Sequence, residues 1–211
     1  MAKLALITLL VIGALADTWT GKLDKVYELS ELNLFAEGVH YYDGDLYTGS
    51  AAGQDIPRFD PDDLDVSKAL AAEKTSDAHD AGTANVTLGL CSSGSKDRIY
   101  AALGKLAGTS DGGIAYWNDD LEFQKAVTIS GQVLMNDCVV KGDYVYFTGS
   151  RAGPSVMVCD LDLTDCKTLY QGSLLSPISS VGANGIVHMD GFLLVVRSDD
   201  GNLVYLPIDG D

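Results

Sequence analysis

Glu37, Gly89, Asn136 and Asn184 each open a similar segment of this chain: EGVHYYDGDLYTGS, GLCSSGSKDRIYAA, NDCVVKGDYVYFTGS and NGIVHMDGFLLVVRS. Their positions are 52, 47 and 48 residues apart. A fold that brings one register of each segment to a common point would gather two amide oxygens and a carboxylate there. That donor set suits a hard divalent cation such as Ca²⁺, Mg²⁺ or Mn²⁺. Taken singly, each position reads as a strand-opening turn whose polar side chain caps backbone groups. The metal reading therefore depends on convergence.

Other reactive side chains offer less. His40 and His188 follow the opening residues of their own segments and read as strand or turn positions, while His79 belongs to a loop. The acidic runs 60–65 and 160–165 lack the glycine-centred spacing of a helix-loop-helix calcium site and read as solvated hairpin turns. Cys159 and Cys166 bracket Asp-Leu-Asp-Leu-Thr-Asp. Strands paired across that turn would bring their Cα atoms to ~4.4–6.8 Å, within disulfide reach. Cys91 and Cys138 occupy the same point of two repeats, and between a bridge and two buried thiols the thiols are expected.

The elements that must position these residues follow from the repeat. Each unit runs through a short apolar stretch, a turn of Asp, Gly or Lys, and an aromatic and β-branched strand such as Tyr144–Phe147. A small-residue loop and a further strand follow: 56–60, 114–117, 156–160 and 203–206. Units two and three add a fourth strand, 123–129 and 167–170. Short alternating strands at this period predict one four-stranded antiparallel sheet per unit. A single such sheet cannot bury both faces, and radial stacking of neighbours can. The expected fold is an all-β β-propeller, with repeats near 37–83, 84–130, 131–175 and 176–211. A β-sandwich gives no reason for the repeats. Residues 69–84 read as an inserted loop.

Residues 1–16, MAKLALITLLVIGALA, combine an early Lys3, an apolar run and a small-x-small end, which is a signal peptide. The run is shorter than the ~20 residues of a spanning helix. Residues 17–211 form the expected secreted domain, and Asn85-Val-Thr is a glycosylation acceptor sequence. The net charge of −16 argues against a nucleic-acid partner, which needs clustered Lys and Arg.

AEGVHYYDGDLYTGS, MNDCVVKGDYVYFTGS and ANGIVHMDGFLLVVRS resemble the senescence marker protein/regucalcin/gluconolactonase family over about residues 33–211. The resemblance implies a six-bladed propeller and a calcium- or zinc-dependent lactone or ester hydrolase. It places Glu37 and Asn184 as metal ligands and Asn136, followed by Asp137, as the substrate contact. The family's general-base Asp of the fifth blade has no counterpart, so no catalytic residue is assigned and an incomplete, inactive hydrolase is expected. The alternative is a non-catalytic secreted propeller that binds a ligand or a protein. Two closures are open: an arc with exposed blade faces, or a four-blade ring in which 26–29 pairs with 203–206.

Secreted protein is expected to begin at Asp17. Intact-mass analysis that finds secreted material starting at Met1 would contradict the signal peptide.

Overall fold

The computed structural model describes residues 36–51, 56–61, 70–71, 86–105, 111–151, 153–175 and 182–208. Residues 1–35, Asn85 and His79 lie outside this set, and with them the signal peptide, the glycosylation sequence and the proposed closing strand 26–29.

Aspartate–glycine turns set the hairpins. Asp43-Gly44 and Asp190-Gly191 both take positive φ (48° and 90°, 33° and 86°), the conformation of the tight turns that match strand twist. The first turn joins β1 (Ala36–Tyr42) to β2 (Asp45–Ser50), and β3 (Pro57–Phe59) and β4 (Leu70–Ala71) complete that blade. The second blade is β5 (Val86–Ser93), β6 (Arg98–Gly104), β7 (Gly112–Asn118) and β8 (Phe123–Ile129). The third is β9 (Leu134–Lys141), β10 (Tyr144–Arg151), β11 (Ser155–Asp160) and β12 (Cys166–Gln171). The fourth contributes β13 (Ala183–Met189), β14 (Phe192–Arg197) and β15 (Leu203–Pro207). All pairing is antiparallel, and the described residues include no helix, hence none long and apolar enough to cross a membrane. One expectation needs correcting: Leu70–Ala71 pairs with Pro57 and Arg58, so part of the supposed insertion is a fourth strand.

The core lies between the blades, because alternation along each second strand gives both neighbours an apolar face. Ile99, Ala101 and Leu103 of β6 pack toward Tyr47 and Ile56 of the first blade. Tyr100 and Ala102 pack toward Val145 and Phe147 of the third. Tyr146 and Val156 meet Leu193 and Val195 of the fourth. On the fourth blade Leu203 and Tyr205 remain exposed, with Tyr205 against Phe192 at 4.9 Å.

Two disulfides tie this stack. Cys159 and Cys166 stand opposite each other on β11 and β12, with Cα atoms 4.1 Å apart, slightly closer than expected. Cys91 and Cys138 are not free thiols: they bridge β5 to β9, Cα atoms 5.6 Å apart, because the stacking brings these two first strands side by side. Their separation of 47 residues makes this the longer loop, and loop closure restrains the unfolded chain more as the loop lengthens. Replacing Cys91 and Cys138 by serine is expected to lower stability by ~2–4 kcal/mol in denaturant melts, with a smaller loss for Cys159 and Cys166.

Candidate functional site

Every first strand carries a β-bulge at the same place, where two residues face one across the hairpin. The pairs are Gly38–Val39 against Thr48, Leu88–Gly89 against Ala102, Asn136–Asp137 against Thr148, and Asn184–Gly185 against Val196. A bulge twists its strand and re-aims the side chain it carries. The ladder corrects the register inferred from the repeats. Asn136 and Asn184 are equivalent, Glu37 precedes that position by one residue, and Gly89 follows it by one.

Even so, Glu37, Gly89, Asn136 and Asn184 line one cleft of about 170 Å³, joined by Gly38 and Asp137. Asn136 is 7 % exposed. Asn184 Nδ2 donates to Ser198 Oγ at 2.7 Å. None of the six lining residues is basic, and no cluster of three His, Cys, Asp or Glu occurs among the described residues.

Asp137 is the centre of this arrangement. Its Oδ1 accepts the backbone N–H of Cys138 at 2.9 Å, and its Oδ2 accepts that of Ile186 at 3.0 Å, tying the third blade to the fourth. Burial raises its pKa to about 6; the nearby charge of Glu37 adds to that, while the two backbone N–H groups oppose it. Gly89 makes room: a Cβ there would sit 2.1 Å from Asp137 Oδ1 and 2.6 Å from its Cα. The hydroxyl of Thr148 accepts from Asp137 N at 3.1 Å and donates to the Asn184 carbonyl. The equivalent Thr48 donates to the Gly38 carbonyl at 2.7 Å. These threonines were missed as site residues, although the recurring Thr-Gly-Ser of the first and third repeats was their signal.

Of the histidines, His40 lies on β1 with its Nε2 2.8 Å from Ser92 Oγ, and burial lowers its pKa. His188 lies on β13, away from the cleft lining. The acidic segment Asp160–Asp165 is a turn closed by Asp160 Oδ1, which accepts from Thr164 N (2.6 Å) and Asp165 N (3.1 Å).

No protein-family model and no curated protein matches the sequence. Solved structures do. The nidogen/laminin complex is similar at 15 % identity and TM-score 0.57, over 78 % of this chain and 57 % of that one. The designed protein Ika4 is similar at 13 % and 0.51, over 82 % and 91 %. The glutaminyl cyclase of Myxococcus xanthus is similar at 12 % and 0.50, over 79 % and 66 %. The fold is a β-propeller. The chain spans less than two thirds of the nidogen/laminin chain.

Because the folded carboxyl of Asp137 holds its proton up to about pH 6 and the unfolded one only to the ordinary value of 3.8, the native state binds the extra proton between them. Stability supplied by this group is complete below the lower value and lost as pH rises through the upper one, about 3 kcal/mol in all. Urea melts from pH 3.5 to 7 are expected to show this decline, and Asp137→Asn to remove its contribution. Equal slopes in both proteins would contradict it.

Proposed function

We propose that this is a secreted propeller of the gluconolactonase type, whose axial cleft binds a divalent cation and, with it, a small lactone or ester. One observation carries the reading: two carboxylates and two amides from the first, third and fourth blades meet in one cleft that has no basic residue. The side chains fit such an ion. Asn136 is nearly buried in the cleft lining, and the Asn184 bond to Ser198 uses its NH₂ and leaves its oxygen. A cation would also relieve the repulsion between Glu37 and Asp137. Ca²⁺ is the first choice for an all-oxygen set, with Mg²⁺, Mn²⁺ and Zn²⁺ as competitors.

Glu37 and Asn184 would hold the ion, and Asn136 would orient the ligand. The bound ion would supply polarisation of the ligand carbonyl. Asp137 is the lining carboxyl that titrates close to neutrality, so it is the group able to take a proton from water if the bound ester is hydrolysed.

A second reading, a non-catalytic propeller that binds a protein, is favoured by the exposed Leu203 and Tyr205 on the fourth blade. The likeness to the nidogen/laminin complex agrees with it at the level of fold.

Calorimetric titration separates the two. Ca²⁺ is expected to bind and raise the melting temperature, and Glu37→Gln or Asn184→Ala to weaken it at least tenfold, ~1.4 kcal/mol. Absence of any divalent-cation binding would leave the protein-binding reading.

A further inference from the structure

A second cavity of about 350 Å³ adjoins the cleft, and the two share Asp137. Its wall comes from the first strand of all four blades: Val39 of β1, Leu90 of β5, Val139 and Val140 of β9, and Ile186 and Val187 of β13. The Cys91–Cys138 disulfide joins the same wall. Two of these valines are conspicuous for a folded protein. Val39 is 75 % exposed and Val187 50 % exposed, on separate blades, yet both face this one space. The wall's other polar side chains, His40 and Ser92, hydrogen-bond to each other at 2.8 Å. Burial lowers the His40 pKa, which favours the uncharged ring. A carboxylate-and-amide cleft thus adjoins a largely aliphatic cavity of a size common for small-molecule sites.

We propose that the ligand is amphipathic: a lactone or ester whose polar head lies among Glu37, Asn136, Asp137 and Asn184 and whose alkyl chain lies along Val39, Val139 and Val187. This rests on the cleft as the ligand site and names the ligand's class. A sugar lactone has no apolar part to cover these valines. An alkyl chain removes them from water, and each buried methylene contributes enough to tighten binding about fourfold.

The test is binding of γ-butyrolactone, γ-octalactone, γ-decalactone and glucono-1,5-lactone to the full chain by calorimetry, with and without Ca²⁺. Affinity is expected to climb about fourfold per methylene across the γ-lactones until the cavity is full, with glucono-1,5-lactone no tighter than γ-butyrolactone. Val39→Thr with Val187→Thr, uncharged and strand-compatible changes at exposed positions outside the core, is expected to make the series shallower while leaving Ca²⁺ binding and the melting temperature in place. A flat series in the natural protein, or one equally steep in the double variant, would overturn the inference. The cation reading is judged separately: loss of Ca²⁺ binding with the chain-length series intact would overturn that reading alone.

Discussion

The close approach of one blade's second strand to the next blade's first strand is the constraint on which the rest of this molecule depends. The approach leaves no room for side chains at the points of contact. A Cβ on Gly49 would lie 2.0 Å from the Leu88 carbonyl oxygen and one on Gly104 2.3 Å from Leu134 Cδ1; neighbouring first strands crowd in the same way, with a Cβ on Gly89 2.1 Å from Asp137 Oδ1. Where the strands meet, short ladder contacts join the blades: Ser50 with Thr87, and Gly104 with Leu134. The third and fourth blades meet through the backbone bond from Gly182 N to the Ser150 carbonyl (3.1 Å) and through side chains as well, Ser150 donating to the Ala183 carbonyl and Thr148 to that of Asn184. The two Thr-Gly-Ser tripeptides serve these junctions differently: Gly49 gives clearance against the second blade, while Thr148 and Ser150 donate hydrogen bonds to the fourth.

Function and stability share this seam. The bulges that place Asn136 and Asn184 at the cleft lie in the strands that make the blade contacts. Asp137 belongs to both roles, since it lines the cleft and satisfies a backbone N–H on each side of the third interface. A buried carboxylate is costly unless it is hydrogen-bonded, and these two bonds offset part of that cost. Its burial, with Glu37 nearby, leaves the pKa well above the ordinary carboxylate range. A group placed to hold two blades together is thereby also tuned toward neutral pH.

The outer strands tell the same story from the other side. Second strands such as β6 and β10 are buried almost throughout, while β8 and β12 alternate or face water. Each interior blade buries both faces of its second strand between two neighbours. The fourth blade buries one face, against the third, and shows Leu203 and Tyr205 on its third strand.

What the sequence determined alone was whatever is local or repeated. Asp-Gly pairs specify the tight turns through their tolerance of positive φ, and alternating apolar residues specify strands with two useful faces. The repetition of both then implies stacking, so the propeller was legible. The strand Leu70–Ala71 was not, because two residues without alternation acquire strand character only from their partners Pro57 and Arg58. Tertiary structure also decided the pairing of Cys91 with Cys138, 47 residues apart, which depends on two blades lying side by side. It decided the register of the cleft as well. A bulge adds a residue on one side of a ladder, and spacing along a single chain cannot show where the ladder absorbs it. For that reason Glu37 and Gly89 reach the cleft from positions one residue to either side of the asparagines.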